Sequence, residues 1–143
     1  MIKSKINSLR YLIILIVALG FSSCEDDNKT LPKELTIQEK VALLESSEWL
    51  SKNGGNEPNV MYTFSKGKRF NSYKSNGVWH EGSTASSADY VAEENLLTMD
   101  FYFGHVYTYE LKVLCNNTII EFYKDGELND TLYKRNSEYK TCL

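Results

Sequence analysis

Val60 to Lys74 reads VMYTFSKGKRFNSYK. Its first half, VMYTFSK, alternates apolar and polar side chains at period two, as a strand with one buried face does. Lys66-Gly67 joins it to KRFNSYK, and a pair of residues whose glycine accepts positive φ makes a tight hairpin turn. The same pattern runs on downstream. SNG at Ser75 to Gly77 turns the chain before VWHE, the polar loop GSTASSA leads into DYVA, and EEN leads into LLTMDFYF, where Leu97, Met99, Phe101 and Phe103 share a face. HVYTYELKVL, the turn CNNT, TIIEFYK, the turn Asp125-Gly126 and NDTLYKRN complete the series. Upstream, Trp49 to Lys52 forms one more short strand, ended by GGNEPN. Eight or nine strands at hairpin spacing predict a mainly β fold, an antiparallel up-and-down meander, because a Greek key needs a long return connection. About eight such strands bury their apolar faces best by closing into a barrel. Ten tyrosines and six phenylalanines suit its pleated walls.

One helix precedes the strands. In TIQE, Thr36 as N-cap and Glu39 three residues on form a capping box. Ile37, Val41 and Leu44 then fall on one face, predicting a short amphipathic helix over about Ile37 to Ser46.

The amino-terminal segment has a different composition. Lys3, Lys5 and Arg10 stand ahead of YLIILIVALGF, eleven uncharged residues from Tyr11 to Phe21. A transmembrane helix needs about 20 apolar residues, so this block is too short to span. A basic start, an apolar run and the small residues Ser22 and Ser23 predict a signal peptide over residues 1–23. GFSSC resembles a bacterial lipobox, which implies cleavage before Cys24 and acylation of its thiol and new amino terminus. Phe21 stands where such motifs usually carry Leu, and the alternative is an ordinary secretory signal followed by a chance cysteine. EDD at Glu25 to Asp27 resembles the export tag that sends Bacteroidota lipoproteins to the outer face of the outer membrane. One acyl chain anchors only marginally and two signals anchor stably, so a triacylated Cys24 implies permanent attachment to the outer membrane. Residues 24–35 then form an acidic, flexible tether, and residues 36–143 the barrel domain.

Removing residues 1–23 leaves 120 residues, enough for one domain. The signal takes three of the sixteen basic residues and none of the nineteen acidic ones, which leaves a mature charge of −6 with His neutral. No basic block survives, so a nucleic-acid partner is not expected. The acidic surface repels anionic lipid heads, so membrane contact is expected from the anchor alone. The domain is expected to be a monomer.

The mature chain resembles the lipocalin-like domain of Bacteroidota lipoproteins over about Leu43 to Asn136. LLESSEWL, YTFSKGKRF, NLLTM and LYKRN carry the likeness. It implies that Arg135, on the last strand, stacks on Trp49, on the first, to close the barrel floor. Ser47 replaces the glycine expected two residues before that Trp. The likeness also implies binding of a small apolar or amphipathic ligand in the barrel mouth. Tyr62, Phe64, Leu97, Met99, Phe101, Tyr107, Tyr109 and Leu111 either line such a cavity or fill a core. In the second case the expected role is a protein-interaction module, an accessory subunit or inhibitor of an envelope protein.

Residues with catalytic chemistry are sparse. His80 and His105 lie far apart in sequence, without His-x-His or Cys-x-x-Cys spacing. Ser83, Ser86 and Ser87 lack the Gly-x-Ser-x-Gly elbow. Glu93 and Glu94 are neighbours on extended chain and point to opposite faces. The glycines of Asn53 to Gly55 do not open a helix and make no phosphate cradle. No enzyme activity, cofactor or metal is expected. In an oxidising compartment Cys115 and Cys142 either pair or remain two partly buried thiols. Asp130-Thr131-Leu132 resembles a Bacteroidota O-glycosylation motif, which requires an exposed Thr131. The Asn-x-Thr triplets at Asn116 and Asn129 matter only in a eukaryotic secretory route.

Overall fold

Tight turns order the strands of the computed structural model, which describes residues 33–54, 57–82 and 87–143. The signal segment, Cys24, the first part of the tether, and Ser83 and Ser86 lie outside the described residues. Glu34–Leu143 is one compact unit. Helix α1 (Ile37–Glu45) precedes β1 (Glu48–Ser51), β2 (Val60–Ser65), β3 (Lys68–Ser75), β4 (Val78–Glu81), β5 (Ala88–Glu93), β6 (Leu96–Asp100), β7 (Val106–Leu114), β8 (Ile119–Lys124) and β9 (Glu127–Lys134). A short 3-10 turn, Tyr139–Cys142, follows β9.

The strands β1, β2, β3, β5, β6, β7, β8 and β9 pair antiparallel in that order, and β9 returns to β1, so the sheet closes. The result is an eight-stranded up-and-down barrel with one helix, consistent with a lipocalin-like fold. Strand β4 pairs with β3 alone and stands outside the ring. The weakest seam is β3 to β5, where the paired residues are Lys68 with Asp89 and Arg69 with Ala88. A Lys68–Asp89 ion pair and a 2.7 Å bond from the Tyr90 N–H to the Gly67 carbonyl reinforce it.

Helix α1 begins as expected. Thr36 Oγ1 accepts the Glu39 N–H, and Glu39 Oε2 accepts the Thr36 N–H at 2.7 Å. Ile37 and Leu44 are buried in the barrel core with Trp49, Leu97, Met99, Leu111, Ile120 and Leu132. Full burial of an aliphatic side chain of this size contributes about 1.5 to 3 kcal/mol. Two hydrogen bonds fasten the end of the helix: Trp49 Nε1 donates to the Leu44 carbonyl at 2.9 Å, and the Tyr90 hydroxyl to Glu45 at 2.5 Å. Lys40, buried, donates to the Leu111 carbonyl at 2.8 Å and pairs with Glu34 at 3.0 Å. Glu34 therefore belongs to the folded unit rather than to a free tether.

The expected strand through Phe103 ends early. β6 stops at Asp100; Tyr102 and Phe103 take positive φ in a turn, and Phe103 is 95% exposed. Asp100 causes this locally, since its carboxylate accepts the Tyr102 N–H at 2.7 Å and closes the turn.

The expected floor is corrected. Trp49 pairs with Lys134, so Arg135 falls one residue out of phase and points to the opposite face. Trp49 is fully buried inside, while Arg135 sits outside with its guanidinium 2.6 Å from Glu48 Oε2 and 5.8 Å from the Trp79 ring.

A second, smaller core covers the outside of β8 and β9. Ile119, Tyr133 and Tyr139 are buried there with Leu50 and Cys115 against them. The Tyr133 and Tyr139 rings stack at 4.6 Å. A Cys115–Cys142 disulfide clamps the carboxy-terminal turn over this patch, which decides between pairing and free thiols. Sequence separation of 27 residues makes the bond worth about 2 to 4 kcal/mol in the chain-entropy account.

Trp49→Ala is expected to cost about 3 to 5 kcal/mol, the usual loss on truncating a buried large aromatic. Urea unfolding of the two proteins measures it, and a change below about 1 kcal/mol contradicts the burial described.

Candidate functional site

Phe64 faces the core, and the Lys66-Gly67 turn sets Phe64 directly opposite Arg69. Directly opposed residues share a face, so Arg69 enters the barrel and Phe70, 39% exposed, faces water. The guanidinium carbon lies 4.4 Å from the centre of the Tyr62 ring and 4.7 Å from that of Phe101. Its Nε is buried and has no hydrogen-bond partner. Beside it is an open slot of about 30 Å³ lined by Tyr62, Phe64, Met99, Phe101, Tyr109, Phe122, Asn129, Asp130 and Leu132. Asn129 and Asp130 lie near the start of β9, away from the Lys134 end that pairs with Trp49 beside α1.

The slot is electrically uneven. Burial lowers the Arg69 pKa, while Asp130, and Tyr62 and Tyr109 once ionised, oppose that fall. Burial raises the Asp130 carboxyl against hydrogen bonds from Ser51 and the backbone. Ser51 Oγ donates to the Asp130 carboxylate at 2.8 Å, and the Thr131 N–H donates to the same carboxylate at 2.8 Å. Tyr62 and Tyr109 are both raised, chiefly by desolvation, with Arg69 pulling the other way.

Five of the eight expected lining residues meet here: Tyr62, Phe64, Met99, Phe101 and Tyr109. Leu97 and Leu111 are fully buried in the core instead. The Tyr107 ring packs on Phe101 at 5.7 Å and has the Lys124 ammonium over it, 4.2 Å from the ring centre. Arg69 and Asp130 were not anticipated. The signal for Arg69 was the two-residue turn, which fixes register as well as direction.

Larger recesses lie outside the barrel, on either side of Trp79 and Arg135. One, about 780 Å³, is lined by Lys52, Lys74, Tyr133, Tyr139 and Lys140 among others, with Glu57 as its acidic side chain. The other, about 580 Å³, runs over Glu48, Met61, Thr63, Phe70 and Glu81. The hairpin of β3 and β4 brings Trp79 here by pairing it with Lys74.

The remaining candidates do not assemble. His80 and His105 are exposed, and His105 Nδ1 lies 3.4 Å from the Tyr107 hydroxyl. Among the described residues, no three His, Cys, Asp or Glu side chains are placed to hold a metal ion. Thr131 is 5% exposed, so the folded domain does not offer the accessible hydroxyl that its motif requires. Among the described residues no helix is long and apolar enough to cross a membrane. The chain matches no known protein family, no curated protein and no solved structure.

The tyrosines give a pH dependence. Tyr62, Tyr90 and Tyr109 keep their protons in the folded state to higher pH than in the unfolded chain, where phenols titrate near 10. Above about pH 10 the unfolded state binds fewer protons, so stability is whole below that pH and falls as pH rises past it. Urea midpoints at about pH 9, 10 and 11 are expected to decrease in that order; a flat series contradicts the burial of these phenols.

Proposed function

We propose that this chain is a lipid-anchored, non-catalytic envelope lipoprotein whose barrel docks another envelope protein through the outer cleft at Trp79 and Arg135. One contrast carries the reading. The interior slot is about 30 Å³, whereas the recesses beside Trp79 and Arg135 are about 780 and 580 Å³. Pockets for drug-sized ligands run to roughly 300 to 1,000 Å³. A small barrel is consistent with a lipocalin-like binder, but a bulky apolar ligand finds no room inside this one.

The cleft's chemistry suggests what the partner presents. Lys52, Lys74, Arg135 and Lys140 surround Trp79, Tyr133 and Tyr139, in a domain that is acidic overall. Aromatic residues and arginine are enriched at protein interfaces, and the local positive charge suits an acidic segment of the partner. Strand β4 adds an unpaired edge beside Trp79 among the described residues, to which an extended segment can add by β-augmentation. The exposed, separated histidines support a non-catalytic role.

Attachment rests on the sequence features at Cys24. Cys24→Ala is expected to move the protein from the detergent phase to the soluble fraction of cells; persistence in the membrane contradicts the anchor. Docking is tested by placing a photocrosslinking amino acid at Trp79 or, as control, at Phe103 in intact cells. The Trp79 position is expected to yield one discrete adduct with an envelope protein, lost on Arg135→Glu, and Phe103 none. Equal labelling from both positions, or none from either, overturns the cleft.

A further inference from the structure

Arg69 remains unexplained by docking on the outer surface. A buried guanidinium is costly unless something compensates its charge, and the barrel supplies only part of that compensation. The Tyr62 and Phe101 rings both lie against it, each giving a cation–π contact worth about 0.5 to 2 kcal/mol. Neither accepts an in-plane hydrogen bond, and Nε is left without a partner. Asp130 lines the same slot but forms no ion pair with Arg69 among the described residues; Ser51 and the Thr131 N–H already hold its carboxylate.

We propose that the open slot at Arg69 binds a small monovalent carboxylate, its oxygens paired with the guanidinium edge and its remainder directed out of the barrel mouth. Size, charge and geometry agree on this. Holding one water takes roughly 10 to 15 Å³ of such space, so about 30 Å³ admits a group of two or three heavy atoms and excludes a bulky ligand. Arginine presents parallel N–H donors that match a carboxylate in two-point contact. The two rings pack against the guanidinium before any ligand arrives, so less side-chain freedom is lost on binding. The Tyr62 and Tyr109 side chains line the same slot and supply hydroxyls as further donors. Asp130 is the opposing feature: its negative charge weakens any anion bound beside it.

The carboxylate is either a free small acid or the head group of an amphipath, and a chain-length series separates them. Full-length protein in non-ionic detergent is titrated with acetate and with hexanoate, hexanamide being the uncharged control. The readout is the ¹⁵N–¹H signal of the Arg69 side-chain Nε–H. Saturable shifts with both acids and none with hexanamide are expected. Similar affinities indicate a free small acid, and hexanoate tenfold or more tighter indicates an amphipath. Arg69→Gln is expected to weaken binding at least tenfold by calorimetry, and Asp130→Asn to strengthen it several-fold. If Arg69→Gln does not fold, Asp130→Asn decides alone. No saturable shift with either acid up to tens of millimolar, an equal response to hexanamide, or an Asp130→Asn affinity no higher than the parent's overturns the site. Each of these results is independent of crosslinking at Trp79.

Discussion

The phase of the Lys66-Gly67 hairpin is the constraint on which the rest depends. A two-residue turn leaves no slack, so Ser65 faces Lys68 and Phe64 faces Arg69. Once Phe64 is drawn into the core, Arg69 must follow and Phe70 must face water. A slip of one residue would bury Phe70, expose Arg69, and turn every other side chain of β3 to the wrong face. The barrel accepts a cation in its interior because the alternative breaks the longest hairpin in this part of the sheet. The same phase places Lys74, and through it Trp79 on β4, on the outside where the cleft forms.

From that hairpin two faces with different chemistry arise. Inside, apolar side chains fill the barrel down to one small slot, and α1 covers an end through Ile37, Leu44 and the Trp49 hydrogen bond. Outside, the disulfide and the stacked Tyr133 and Tyr139 hold a second core that forms one wall of the larger recess. The outer wall is packed as a core is packed, which suits the proposed docking surface. Interior and exterior are linked through β1, where Trp49 and Ser51 face inward while Glu48 pairs with Arg135 outside.

Much of the fold was legible because period-two patterns and turn residues act locally. The strand order, the capping box at Thr36 and the turns at Lys66-Gly67 and Asp125-Gly126 need only neighbours to form. Two failures depended on phase across the sheet or on packing outside it, and one, at Phe103, on a local turn. Arg135 was expected on Trp49 from a family likeness, but the Trp49–Lys134 register sends it outward. Phe103 was expected on a strand face, but Asp100 closes a turn before it. The motif at Thr131 needs exposure, whereas β9 is buried on both faces over Thr131, Leu132 and Tyr133, which no single strand's pattern reveals. Arg69 was missed for the converse reason: a charged residue in a strand is usually placed in water, and only the register across Gly67 places it inside.

The most direct test of this account is the position of two adjacent side chains, read by NMR from ring contacts in the folded protein. Nuclear Overhauser contacts from the Arg69 δ-protons to the Tyr62 and Phe101 rings, with upfield-shifted δ-protons and a solvent-exposed Phe70 ring, are predicted. Contacts from the Phe70 ring to Phe64 and Met99, with Arg69 δ-protons at random-coil shifts, would contradict the register and with it the slot, the cleft and the reading built on them.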